Sequence, residues 1–112
     1  MDDTTPAETG HFLYKLIPPR PTFALDMTED EARIMGEHAA YWLPLAENGT
    51  VVVFGPVMDP AGTWGLAVIR AADERDVRAM GERDPAVTSR LATFEVCAMP
   101  ATIVGQPAVP AR

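Results

Sequence analysis

One cysteine, one lysine and two histidines occur among the 112 residues, and each scarcity removes a class of protein. With Cys97 alone, an intramolecular disulfide is impossible and a structural zinc site built on cysteines is excluded. Lys15 is the single lysine and the formal net charge is −7. The chain therefore lacks the clustered cations that a nucleic-acid backbone requires. No run approaches the ~20 apolar residues of a membrane helix. The opening Met-Asp-Asp-Thr-Thr-Pro has neither the basic nor the apolar region of a secretory signal. A cytoplasmic protein with no nucleic-acid and no membrane partner is expected. The two histidines are far apart, and there is neither a glycine-rich phosphate loop nor a nucleophile elbow. No metal and no cofactor are expected.

What is present suits one ordinary core, with 47% hydrophobic and 22% charged residues in a chain of single-domain length. The polar, acidic residues 1–10 and the proline-containing residues 106–112 read as tails, leaving one domain over residues 11–105. His11, at the border, reads as a partly exposed histidine without a role.

The longest helix is written between Met27 and Gly49. Thr28 followed by Glu31 makes a capping box, and the acidic first turn complements the helix dipole. Ile34, Met35, His38, Tyr41, Trp42 and Leu45 recur at steps of three and four, which aligns them on one inward face. That apolar stripe carries one imidazole, His38. Pro44 removes a helix hydrogen bond and should bend the segment just after Trp42.

Phe12 to Ile17 alternates as a strand and stops at Pro18-Pro19. The following loop to Asp26 is stiffened by three prolines. Arg20 and Phe23 in it are either an anion contact and a pocket wall or a solvated cation and a cap on the core. The β-branched run from Thr50 to Pro56 reads as a strand buried on both faces and placed centrally. Asp59-Pro60 and Gly62 supply a hairpin turn, and Thr63 to Arg70 is its antiparallel partner, with Gly65 marking a close approach. A second helix starts at Asp73 and ends between Gly81 and Asp84. Pro85 opens a further helical turn. Arg90 to Ile103 returns as a strand, broken at Pro100, in which Cys97 reads as a small buried residue. The methionines, Met58 among them, read as core filler.

The order β-α-β-β-α-β predicts an α+β, ferredoxin-like fold, a four-stranded antiparallel sheet with two helices on one face. The bare face of so apolar a sheet predicts a homodimer packed through it. A monomeric mass in solution at micromolar concentration would contradict that expectation.

His38-Ala-Ala-Tyr-Trp-Leu on the long helix, Gly49, Phe54-Gly55-Pro56, Gly65 and Asp84-Pro85 together resemble the YCII-related family over about Phe12 to Val104. The resemblance implies a dimeric α/β barrel of ferredoxin-like protomers and a site using a His and Asp pair, here His38 and Asp84. The family is similar in fold to muconolactone isomerases, and one branch eliminates chloride from a chlorinated hydroxyhydroquinone. Many relatives carry an arginine four residues before the helix histidine. This chain has Ile34 there, with Arg33 turned about 100° away, so an anion would have to be met by Arg20.

The chemistry of such a pair is general. An imidazole with an ordinary pKa near ~6.5 exchanges protons at neutral pH, and a carboxylate fixes its tautomer. His38 is then the base and Asp84 the orienting partner, with Tyr41 a donor to a developing oxyanion. Phe23, Trp42 and Trp64 would wall a small cyclic or aromatic substrate. These residues suit a cofactor-independent lyase or isomerase, by proton abstraction or elimination. The alternative is a non-catalytic dimer that binds a small metabolite or docks on a partner. His38 as a satisfied core histidine and Asp84 as a plain helix cap are the structural readings beside them.

Overall fold

The computed structural model describes residues 9–106, ordered β1 (Gly10–Ile17), α1 (Phe23–Asp26), α2 (Glu29–Glu47), β2 (Val51–Val57), β3 (Trp64–Ala71), α3 (Glu74–Glu82), α4 (Pro85–Thr88) and β4 (Thr93–Met99). Of the tails expected at 1–10 and 106–112, residues 1–8 and 107–112 lie outside the described residues, and Gly10 already belongs to β1. The sheet order is β2-β3-β1-β4 with every pairing antiparallel. This is the ferredoxin-like α+β arrangement expected from the sequence.

Phe12, Tyr14 and Leu16 alternate onto the covered face of β1, where they join Ala67 and Ile69 of β3 and Val96 of β4. Trp42 from α2 and Val77 from α3, both fully buried, seal the helix layer on them. The capping box of α2 forms as written: the Glu31 amide donates to Thr28 Oγ1 at 3.1 Å and the Thr28 amide to Glu31 Oε1 at 2.9 Å. The helix continues through Pro44. Gly65 lets β3 approach β1, since a Cβ there would lie 3.3 Å from Leu16 Cβ.

Three expectations are corrected. The apolar strand β2 is at an edge rather than central, because Pro56 has no N–H to donate and fits where one side of the strand is unpaired. Its Val53 is half exposed on the open face of the sheet. Cys97 pairs in register with Leu13 on that open face and is exposed, as the alternation of β4 requires once Val96 points inward. Met58 is exposed at the hairpin rather than filling the core.

Gly81 on α3 lies close against the sheet. A Cβ there would stand 2.7 Å from Tyr14 Cε1 and 2.8 Å from Phe94 Cε2, both rigid ring carbons. Gly81→Ala should therefore destabilise the fold by about 1–3 kcal/mol, measured by urea unfolding, despite the helix propensity gained. An unchanged midpoint would mean that the rings yield freely.

Candidate active site

The segment from Pro18 to Asp26, expected as a loop, closes one helical turn, α1. Thr22 supplies the reason: its carbonyl accepts from Leu25 and Asp26, and its hydroxyl donates to Asp26 Oδ2 at 2.7 Å. Arg20 locks this turn to α2. Its Nε donates to Asp26 Oδ1 at 2.8 Å, and its two terminal nitrogens reach the Glu31 oxygens at 3.0 and 2.8 Å. This bidentate pairing pulls the Glu31 carboxyl down to about 2. The guanidinium also lies 5.3 Å over the Phe23 ring.

At the other end of the helix layer, Asp84 caps α4, accepting from the Ala86 amide at 2.9 Å, and Pro85 holds the turn. This carboxylate is fully buried. It meets α2 across the layer: His38 Nδ1 lies 2.9 Å from both carboxylate oxygens. Oδ2 also accepts from Trp42 Nε1 at 2.8 Å and from the Tyr14 hydroxyl at 2.9 Å. Asp84 is therefore helix cap and histidine partner at once.

Burial opposes the charge on Asp84, but the hydrogen bonds from His38, Trp42 and the Ala86 amide outweigh it and hold the carboxyl below its ordinary range. Burial, then the Asp84 charge and hydrogen bond, push the Tyr14 phenol well up, so it stays a neutral donor. An ionised carboxylate only accepts, which places a His38 proton on Nδ1, so that Nε2 carries the lone pair whenever the ring is neutral. Among the described residues no side chain pairs with Nε2.

The imidazole forms part of the wall of a cavity of about 250 Å³ between the covered face of the sheet and α1 and α2. The remaining wall is mostly apolar, with Phe54, whose ring centroid is 5.5 Å from that of His38, and Met35, Phe23, Leu16 and Trp64. Such a space suits one small ring. Among the described residues no cluster of His, Cys, Asp and Glu could hold a metal ion.

The structure brings together His38, Asp84 and Phe23 of the residues singled out in the sequence, while Trp64 borders the cavity from a β3 position that alternates with Leu66 and Val68 toward the open face. Trp64 is steadied from outside by Asp59, which accepts from its Nε1 at 3.1 Å, and by Lys15, 4.8 Å from the ring centroid. The others are placed differently. Tyr41 donates its hydroxyl to the Met80 carbonyl at 2.8 Å and is not part of the cavity wall. Trp42 stands behind Asp84 rather than at the cavity. Arg20 is held by two carboxylates and does not line the space either. Tyr14 was missed as a site residue, although its inward place in the β1 alternation was readable.

The chain is thus a ferredoxin-like α+β domain with a buried histidine–aspartate pair beside a small, mostly apolar cavity. A family model described as the YCII-related domain matches residues 12–100. The chain belongs to the YCII-related family. Among solved structures it is similar to the 5-chloro-2-hydroxyhydroquinone dehydrochlorinase TftG from Burkholderia phenoliruptrix AC1100, in complex with 2,5-dihydroxybenzoquinone. That match has 19% identity and a TM-score of 0.58, covering 77% of this chain and 89% of that one. A Nitrosomonas europaea protein of unknown function, NE2512, matches at 18% identity and a TM-score of 0.45, over 91% of this chain and 98% of that one. A comparison with curated proteins found no match. Among the described residues no helix is long and apolar enough to cross a membrane.

Proposed function

We propose that this chain is a small cofactor-independent lyase or isomerase in which His38 abstracts a proton from a small cyclic or aromatic substrate. The observation that carries the reading is the contact of His38 Nδ1 with both Asp84 oxygens at 2.9 Å, in a ring that also forms part of the cavity wall. In the first step an O–H or C–H bond of the substrate breaks and its proton passes to Nε2. The electron pair stays on the substrate, and Asp84 stabilises the imidazolium. Elimination follows if that pair expels a leaving group, and isomerisation follows if the proton returns to another atom. A protein of the same fold that is named as a dehydrochlorinase agrees with the first outcome.

The test is a panel of hydroxylated and halogenated rings and unsaturated lactones, followed by absorbance and halide release. Turnover by the wild type that disappears in His38→Gln is expected. Binding of panel members that depends on His38, with no turnover of any, would instead favour the non-catalytic binding module.

We further propose that the protein is a cytoplasmic homodimer joined through the open face of the sheet. Leu13, Leu66 and Val68 form a contiguous apolar centre there by register, beside half-exposed Val53. Sedimentation at micromolar concentration should give twice the chain mass, and a monomer would remove this part of the proposal.

A further inference from the structure

The cavity around His38 has no ionisable side chain in its wall apart from His38 itself and the neutral Tyr14. The guanidinium beside it, Arg20, lies against the Phe23 ring and is neutralised by Asp26 and Glu31. Of the side-chain donors near the wall two are committed, and the Thr63 hydroxyl has only the Met58 sulfur, 3.9 Å away. Tyr14 donates to Asp84, and the Trp64 indole donates to Asp59. Directly behind the imidazole stands an ionised, fully buried carboxylate. With a neutral imidazole the site therefore carries one negative charge and offers no cation to a second.

We propose that this cavity selects uncharged ring compounds bearing one weakly acidic O–H and excludes carboxylates and phosphates. The selection of an acidic O–H rests on the reading of His38 as proton acceptor. A carboxylate in this space loses its water, finds no cation and faces the Asp84 charge, an unfavourable transfer on every count. A neutral ring buries its faces against Phe54, Phe23 and Met35 and donates its O–H to Nε2. If the proton crosses, the O–H bond breaks, an N–H bond forms, and the ring oxyanion lies beside an imidazolium that Asp84 compensates. Net charge in the pocket is unchanged by the transfer, so the anion forms inside a site that would not admit it from solution.

The test titrates phenol and benzoate, rings of similar size, the first neutral and the second anionic at pH 8, into the full-length protein. The His38 ring resonances and heat of binding are followed. Phenol should bind at least ~10-fold more tightly than benzoate. Met35→Lys, which puts an ammonium on the wall one helical turn before His38, should raise benzoate affinity by about that factor. Benzoate binding as tightly as phenol to the wild type would overturn the charge selection. If phenol binding is then lost in His38→Gln, the proton-acceptor reading survives. If phenol is preferred but His38→Gln binds it equally well, the charge selection stands and the preference for an acidic O–H falls with the proton-acceptor reading. Binding of neither ring would overturn both.

Discussion

Asp84→Asn should lower the stability of the fold by about 2–5 kcal/mol, the range for breaking a buried charged hydrogen-bond set. The cause is acceptor chemistry. The carboxylate accepts from four donors on three parts of the chain: Tyr14 of β1, His38 and Trp42 of α2, and the Ala86 amide of α4. An amide of the same shape replaces one acceptor oxygen by a donor, so at least one of these N–H or O–H groups faces another donor in a site without solvent access. The drop should appear as a fall in Tm of roughly 10 °C or more.

The same residue sets a dependence on pH. Because its folded pKa is depressed, Asp84 contributes stability that is present above its unfolded value near ~3.9 and is lost as pH falls through the folded value. The stability gap between wild type and Asp84→Asn should therefore be full at pH 7 and narrow below about pH 4. A gap of constant size down to acid would show that the carboxylate is not ionised in the folded state.

His38→Gln should have the largest effect on turnover, a loss of about 10²–10⁴-fold, the usual contribution of a positioned general base. Its effect on folding should be much smaller, about 1–2 kcal/mol. Asp84 keeps Tyr14, Trp42 and the Ala86 amide as donors when His38 is removed. The two variants thus separate what Asp84 does for the fold from the base role proposed for His38. Equal losses of stability in both, or full turnover in His38→Gln, would place the imidazole in the core rather than in the chemistry.

How far the sequence discloses this site depends on how local each signal is. The capping box at Thr28 and Glu31, the stripe on α2, the alternation of β1 and the turn opened by Pro85 are carried by neighbours a few residues apart, and all are found in the structure. The rank of β2 in the sheet is not local. Its apolar run resembles a central strand, and only its pairing with β3 alone shows it to be an edge. The stripe alone marks His38, but its pairing with Asp84 is implied only by the family resemblance, since 46 positions separate them and no spacing rule links them. Side-chain direction was the least readable feature. Tyr41 and Trp42 share the inward half of α2 with His38, yet Tyr41 finds the Met80 carbonyl and Trp42 finds Asp84, which leaves the cavity to His38. Arg20 looked free for an anion because Glu31 was read only as a cap, whereas its carboxylate serves the Thr28 amide and the guanidinium together.

In the proposed site, Asp84 holds a His38 proton on Nδ1 and the neutral ring turns Nε2 to the cavity. The most direct measurement is the ¹⁵N resonance pair of the His38 ring in long-range ¹H–¹⁵N spectra at pH 9, where imidazoles are neutral. The expected result is a protonated Nδ1 and an unprotonated Nε2 whose shift moves when phenol is added. A ring protonated on Nε2, with Nδ1 bare against Asp84, would contradict it.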